Sequence, residues 1–447
     1  MMITDHLISV YDRPVPRYTS YPTAPHFHDG IDAAVMTGWL GNLPADEPLS
    51  LYLHIPFCRK MCWYCGCNTQ IVARHQPIAD FAAMLLKEIG MVADILTSGS
   101  HRRQVTSVHF GGGTPNSLAP GEFERIMAAL DHHFALDADL DLAIELDPRT
   151  LDAEFLAAMR RTGVNRASLG VQDFDAVVQT AVNRVQPYDL VERCVADLRS
   201  VGIRALNLDL IYGLPFQSVS GLRRTVTQAV TLAPDRIALF GYAHVPWMKP
   251  HQRLIDEQSL PDGHARFRQF EAASQALAAA DYARIGLDHF AKPGDSLRVA
   301  RDNRTLKRNF QGYTVDRADT LIGFGPSAIS ALPQGYVQNA PDHTPWARDV
   351  GEGRLAAVKG VAVSHEDRRR RAIIEQIMCF GRVDLADFAF DAGQVMEPLA
   401  PLLEDGLCHL TGTVLTVTER GLPFQRVVAA VFDAYLVPAA KRHSRAV

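Results

Sequence analysis

The sequence predicts an α/β fold: a partial (β/α)6 TIM-like barrel, preceded by an N-terminal segment and followed by a small, mainly helical domain. Three observations predict it. Six short apolar runs alternate with helix-period segments between residues 49 and 242, the βαβ pattern of parallel sheets. Polar side chains recur along these runs: Tyr52 and His54, Asp141 and Glu145, Ser168 and Gln172, Asn207 and Asp209, Tyr242 and His244. Alternation puts them opposite the aliphatic set, and a polar face contributed by many strands suits a barrel lumen better than an open doubly wound sheet. Third, the motifs that can carry chemistry stand at strand ends, the side on which α/β barrels place their sites.

The bulk composition agrees. A chain of 447 residues with 47% hydrophobic and 21% charged content is expected to form a large core plus a smaller domain. A net charge of −5 argues against a nucleic-acid partner, while local basic clusters can still hold anionic substrates. Met1-Met2-Ile3-Thr4-Asp5-His6 has no basic region followed by an apolar run, and no stretch reaches the ~20 apolar residues of a membrane span. Neither export nor membrane insertion is expected. Clustered thiols then place the chain in the reducing cytoplasm.

Taken in order, residues 1–48 read as irregular, because Pro14, Pro16, Pro22, Pro25 and Pro44 interrupt any long periodic run. Residues 49–360 hold the barrel and its extension. Its strands are Leu49 to Ile55, Val105 to Phe110, Leu140 to Leu146, Arg166 to Val171, Ala205 to Ile211 and Ile237 to Tyr242. Helical patterns fall at Ile78–Leu96, Gly121–Phe134, Ala153–Thr162, Tyr188–Val201 and Ser218–Leu232, with a further one at Asp262–Ala280. Arg298, Arg301, Arg304 and Lys307 recur every three residues and would form one stripe on a helix. Residues 361–447 read as the C-terminal domain, opening on a charged helix, Glu366 to Met378, whose run Arg368–Arg371 reads as a solvated face.

Chemistry concentrates in Cys58-Arg59-Lys60-Met61-Cys62-Trp63-Tyr64-Cys65-Gly66-Cys67, spaced C-x3-C-x2-C-x-C. Three thiolates so spaced fit three irons of a four-iron cluster and leave the fourth open to another molecule. A structural zinc site is the alternative, but it favours paired C-x2-C knuckles, and Cys194, Cys379 and Cys408 lie far apart.

C-x3-C-x-aromatic-C is the signature of the radical S-adenosylmethionine (SAM) enzymes, and the string from His54-Ile55-Pro56-Phe57-Cys58 to Cys65-Gly66-Cys67-Asn68 resembles the oxygen-independent coproporphyrinogen III oxidases. Pro16 to Thr23, Arg284 to Pro293 and Asn309 to Thr314 match the same family, so the resemblance runs nearly the whole chain. It implies a radical SAM barrel, an N-terminal segment that covers the site, and a [4Fe-4S] cluster on Cys58, Cys62 and Cys65, with Cys67 outside the ligand set.

Matched motif by motif, the resemblance assigns Tyr52, Gly112, Glu145 and Ile329 to the cluster-bound SAM. Tyr64, Gly113, Thr114, Gln172, Arg184, Asp209 and Ala243 fall to a second SAM beside it. The residues offer their own reasons for some of these. Gly111-Gly112-Gly113-Thr114 ends a strand where missing β-carbons allow close approach to a ligand, and Glu145 ends another where a carboxylate can accept from ribose hydroxyls. Tyr52 and His54 precede the cysteine loop on the lumen face and are expected to be catalytic.

The chemistry the resemblance implies is decarboxylation of two propionates of coproporphyrinogen III to vinyl groups, giving protoporphyrinogen IX, by a 5′-deoxyadenosyl radical. A low-potential donor such as flavodoxin or ferredoxin and a monomeric state go with it. Two rivals share the barrel: haem-opening methyltransferases, and haem chaperones that form no porphyrin product. The chaperones usually lack both the Cys65-Gly66-Cys67 ending and the Arg17 to Thr23 leader, and this chain has both.

Overall fold

Period-two patterning becomes sheet where expected. In the strand Arg166–Gln172, Ala167, Leu169 and Val171 are buried, while Arg166, Ser168, Gly170 and Gln172 keep partial exposure on the other face. The computed structural model describes residues 5–96 and 102–436, so Met1 to Thr4 of the leader lie outside the described residues. The chain divides into two compact units.

The first unit comprises His26–Asp209 and Asp316–Val363. Strands Leu49–Ile55, Gln104–Gly112, Ala135–Leu146 and Arg166–Gln172 follow one another in parallel, and the fifth, Ala205–Tyr212, begins beside the fourth. The register opposes Tyr52 to His109, His54 to Gly111, and Glu145 to Ser168. Helices Gln76–Leu96, Pro120–His133, Ala153–Thr162 and Tyr188–Ser200 lie within two residues of expectation at either end. Their ends have identifiable causes. Asp152 caps the third by accepting from the Phe155 amide, and Gly163 stops it at φ 79°, a conformation costly for residues with a β-carbon.

On its other side Leu49–Ile55 pairs in parallel with Thr320–Phe324. Ile329–Leu332, Gly335–Asn339 and Ala357–Ala362 then extend the sheet antiparallel. These four strands are four to six residues long, too short for periodicity to announce them. The sheet is therefore mixed: antiparallel strands that the sequence did not announce extend the parallel ones.

The second unit comprises Met1–Pro25, Leu210–Val315 and Ser364–Val447. Its sixth strand, Arg236–Gly241, is joined antiparallel by His289–Ala291, which pairs with Ala283–Ile285. Ser364 and Asp367 form a capping box on the helix His365–Phe380, beyond which Arg382–Asp384, Val414–Val417 and Cys408–Thr411 make a small antiparallel sheet. Leu7, Ile8, Tyr11, Val15, Tyr18 and Tyr21 of the leader share one core with Ile373, Ile377, Phe424 and Val427.

Three expectations need correction. The leader is not wholly irregular: Asp5–Tyr11 and Ala33–Gly41 are helices that fit between its prolines, the second capped by Asp32. The basic stripe does not form, because the helix Ser296–Asp302 ends before Arg304, which has φ 58°, and Lys307 starts the strand Lys307–Asn309. The Arg368–Arg371 run is not simply solvated, since Arg369 and Arg370 both pair with Glu366 and lie over the Phe390 ring. Among the described residues no helix is long and apolar enough to cross a membrane.

Candidate active site

The cysteine loop leaves the first strand at Pro56 and is closed by a two-residue parallel ladder of Phe57–Cys58 with Gln70–Ile71. Further bonds hold it. The Cys65 amide donates to Cys62 O (3.1 Å), the Trp63 amide to Val182 O (3.0 Å), and Asn183 Nδ2 to Met61 O (2.8 Å). None of its cysteines is in a disulfide.

Each thiol sits in a distinct setting. Cys58 Sγ lies 3.2 Å from Thr114 Oγ1, and burial pushes its pKa up to about 11, with the charges of Cys65 and Cys62 adding to the rise. Cys62 Sγ accepts from both Arg149 Nη2 and Arg184 Nη1 at 3.4 Å. Asp147 joins these two guanidinium groups, at 2.6 Å from Arg149 and 3.5 Å from Arg184. Cys67 is exposed, and its pKa is raised first by the hydrogen bond with Cys65. Among the described residues no three His, Cys, Asp or Glu side chains group tightly enough for one metal ion. A cluster gives each thiolate its own iron and spreads them wider. Three thiols outside any disulfide, close enough to perturb one another and with two guanidinium groups donating to Cys62 Sγ, fit a cluster.

Tyr52 and His54 share one strand face, as alternation requires. Tyr52 Oη lies 3.1 Å from His54 Nδ1, and His54 Nε2 lies 2.9 Å from Asn68 O. A carbonyl only accepts, so Nε2 carries a proton, and in the neutral ring Nδ1 accepts from Tyr52. Glu145 Oε2 accepts from the Gly112 amide (3.1 Å) and Oε1 meets His109 Nε2 (3.2 Å). Burial works to raise the Glu145 pKa, but the His109 bond and charge and the Gly112 amide outweigh it, leaving the carboxyl below its usual range.

The glycines have a cause beyond ligand approach. A β-carbon on Gly112, at φ 110°, would stand 2.7 Å from the His54 ring, and one on Gly113 2.7 Å from Phe57 O. These positions are closed to larger residues by the strand next door. Gln172 has φ 68°, and Arg184 Nη2 donates to Gly170 O at 2.7 Å. Asp209 accepts from Ser168 Oγ (3.0 Å) and Asn207 Nδ2 (2.7 Å). Burial raises the Tyr64 pKa, opposed by the charge of Arg184. Ile329 opens the strand Ile329–Leu332. All of these stand in the first unit; Ala243 stands in the second, its carbonyl accepting from Gln252 Nε2 (3.2 Å).

Three residues around the site escaped the sequence reading: His109, Asp147 and Arg149. The signals were present. His109 is two residues from Gly111 on the alternating face, and Asp147 and Arg149 directly follow Glu145 at a strand end.

Comparison with known proteins accords with this geometry. Residues 52–229 match the model of the radical SAM superfamily, and residues 363–424 match the HemN C-terminal domain. The chain is 49% identical to an oxygen-independent coproporphyrinogen III oxidase of Bradyrhizobium diazoefficiens, over 100% of both chains. It is 42% identical to one of Paracoccus denitrificans, over 98% of both. The solved coproporphyrinogen III oxidase (HemN) of Escherichia coli superposes with a TM-score of 0.89 at 34% identity, covering 95% of this chain and 100% of that one. A cysteine loop built for a cluster, on a barrel alike over its whole length, places this chain in the family of oxygen-independent coproporphyrinogen III oxidases, among the radical SAM enzymes.

Proposed function

We propose that the protein converts coproporphyrinogen III to protoporphyrinogen IX without oxygen, each of two propionates losing CO2, a hydrogen atom and an electron to become vinyl. The observation that carries this reading is the loop presenting Cys58, Cys62 and Cys65 at the end of the first strand, in a chain so similar to enzymes of that name. When bound, the [4Fe-4S] cluster and SAM supply a carbon-centred radical that takes hydrogen from a propionate β-carbon.

The chain's own residues hold, orient and shield. Cys58, Cys62 and Cys65 ligate three irons, and Arg149 and Arg184 beside Cys62 offset the charge of its thiolate. Tyr52, Gly112, Glu145 and Ile329 hold the SAM at the open iron, with ionised Glu145 accepting from ribose hydroxyls. Tyr64, Gly113, Thr114, Gln172, Arg184, Asp209 and Ala243 hold a second SAM. Tyr52 and His54 act as a catalytic pair, the imidazole held in place by Nε2 donating to Asn68 O.

Residues 1–48 are the substrate-covering segment, residues 49–360 the radical SAM barrel and its extension, and residues 361–447 a mainly helical domain. The enzyme works as a monomer in the cytoplasm, where reduction keeps the thiols available, and a flavodoxin or ferredoxin supplies the low-potential electron. The test is anaerobic turnover by reconstituted protein with SAM, reductant and coproporphyrinogen III. Two CO2 for each protoporphyrinogen formed are expected; a methylated or ring-opened product, or bound but unchanged porphyrin, would refute it.

A further inference from the structure

The helix Gln76–Leu96 turns one face into the core of the first unit, where Phe81, Leu85, Ile89 and Val92 are buried. Glu88 stands on that same face and is only 2% exposed. A carboxyl in such a place costs stability unless it is hydrogen-bonded. Three N–H groups donate to it, each from a different stretch of the chain. Oε2 accepts from the Gly325 amide at 2.7 Å, and Oε1 from Asn339 Nδ2 at 2.8 Å and Trp346 Nε1 at 3.1 Å.

These bonds bear on the turn that leads into Ile329. The strand Thr320–Phe324 ends at Gly325, which has φ 90° and lies so near the first strand that a β-carbon on it would stand 2.6 Å from His54 O. A side chain is excluded there on both counts. Asn339 ties down the rest of the turn. Its Nδ2 also donates to Gly325 O (3.0 Å), and its backbone amide donates to Ala328 O (2.9 Å). The Ser327 amide donates to Ala340 O (2.9 Å), and Ile329 then opens its strand opposite Gln338. Glu88 and Asn339 thus hold residues 325–328 at both ends, and with them the point where Ile329 begins and the backbone that lies against His54.

We propose that Glu88 is a positioning residue for the SAM at the open iron, acting through the turn at residues 325–328 to fix the place of Ile329 and of the His54 backbone. Groups that touch a ligand keep their geometry only if the residues behind them are themselves held. The proposal rests on the assignment of Ile329 to that SAM in the function proposed above. A carboxylate suits the task because its two oxygens accept all three N–H groups, whereas an amide has one oxygen and would turn its own NH2 towards a donor. Trp346 serves as the contrast, since its bond comes from the helix His343–Gly351 and reaches Glu88 rather than the turn.

The experiment is calorimetric titration of SAM into cluster-loaded wild type, Glu88→Gln, Asn339→Ala and Trp346→Phe. It is run at about pH 8, where Glu88, its pKa pushed up by burial to about 7, is a carboxylate. Iron content and urea denaturation are measured on the same samples. Glu88→Gln and Asn339→Ala are expected to bind SAM roughly tenfold more weakly, with iron content unchanged. Trp346→Phe should lose stability as they do yet bind SAM as wild type does, a split that a network serving stability alone would not give. Asn339→Ala cuts the turn's ties from the other side and decides alone where Glu88→Gln does not fold. Wild-type SAM affinity in either of these two variants, or a loss in Trp346→Phe as large as theirs, would overturn the positioning role. Failure of the underlying reading is distinct, because wild type itself then binds no SAM.

Discussion

The phenol of Tyr52 stands 3.1 Å from Nδ1 of His54, two residues along the same strand face and just before the cysteine loop. The far side of the imidazole is tied 2.9 Å from Asn68 O, on the loop's return, so one hydrogen-bonded chain runs from strand to loop. At the end of the sixth strand Tyr242 and His244 repeat the arrangement at 2.8 Å.

Tyr52→Phe keeps the ring and removes one donor, so it should cost about 1 kcal/mol in chemical denaturation. Turnover should fall much further than that stability loss explains. His54→Ala should cost more stability than Tyr52→Phe, because His54 is buried and its ring packs against Gly112. Residual activity proportional to the folded fraction would assign both residues to packing alone.

Cys58→Ala, Cys62→Ala and Cys65→Ala should each abolish the cluster, because two protein thiolates do not hold four irons. Cys67→Ala should retain it. Iron and sulfide analysis of anaerobically reconstituted variants decides, and a cluster-free Cys67 variant would redraw the ligand set.

Glu145→Gln should weaken SAM binding about tenfold while the cluster still assembles, since the amide can accept from Gly112 and donate to His109 yet carries no charge. Calorimetric titration with SAM measures it. Unchanged affinity would remove Glu145 from the SAM site.

Asp147→Asn leaves Arg149 and Arg184 in a buried place without their carboxylate and should destabilise the fold by about 3 to 5 kcal/mol. The Asp147 pKa is lowered: burial opposes this, but Arg184 and Arg149 prevail. Its contribution is therefore present above the unfolded-state pKa and is lost as pH falls through the folded one. Urea denaturation of the two proteins should converge in acid; a gap independent of pH would refute the assignment.

Glu88 has the opposite sign. Burial pushes its pKa up to about 7, although the Gly325 amide (2.7 Å), Asn339 Nδ2 (2.8 Å) and Trp346 Nε1 (3.1 Å) all donate to it. Native Glu88 then keeps its proton where the unfolded chain has lost it. Wild-type stability should fall by about 3 kcal/mol as pH rises from about 4.5 through 7, and Glu88→Gln should lack that loss. Parallel slopes for both proteins would show that Glu88 is ionised throughout.

Much of the framework was legible in the chain because its signals are local. Arg166 to Val171 alternates strictly, and the structure has the strand Arg166–Gln172; Ala153–Thr162 carries its own cap and its own terminating glycine, and the helix begins and ends there. The cysteine spacing is local too. By contrast, Thr320–Phe324 becomes a strand only because Leu49–Ile55 offers it an edge, far away in sequence, and Asp5–Tyr11 is held by a core it shares with Ile373 and Val427.

The chain by itself determined the order of the barrel's alternating strands and helices, the family, and the spacing of the cysteines, since periodicity, caps and motif spacing are properties of neighbouring residues. Tertiary structure alone decided which charges meet. Arg298, Arg301 and Arg304 look like a set in sequence yet take separate partners, while Arg17, Arg284, Arg308 and Arg426 look unrelated and converge. The physical reason is that charges act through space, and only folding sets the distances between residues hundreds of positions apart.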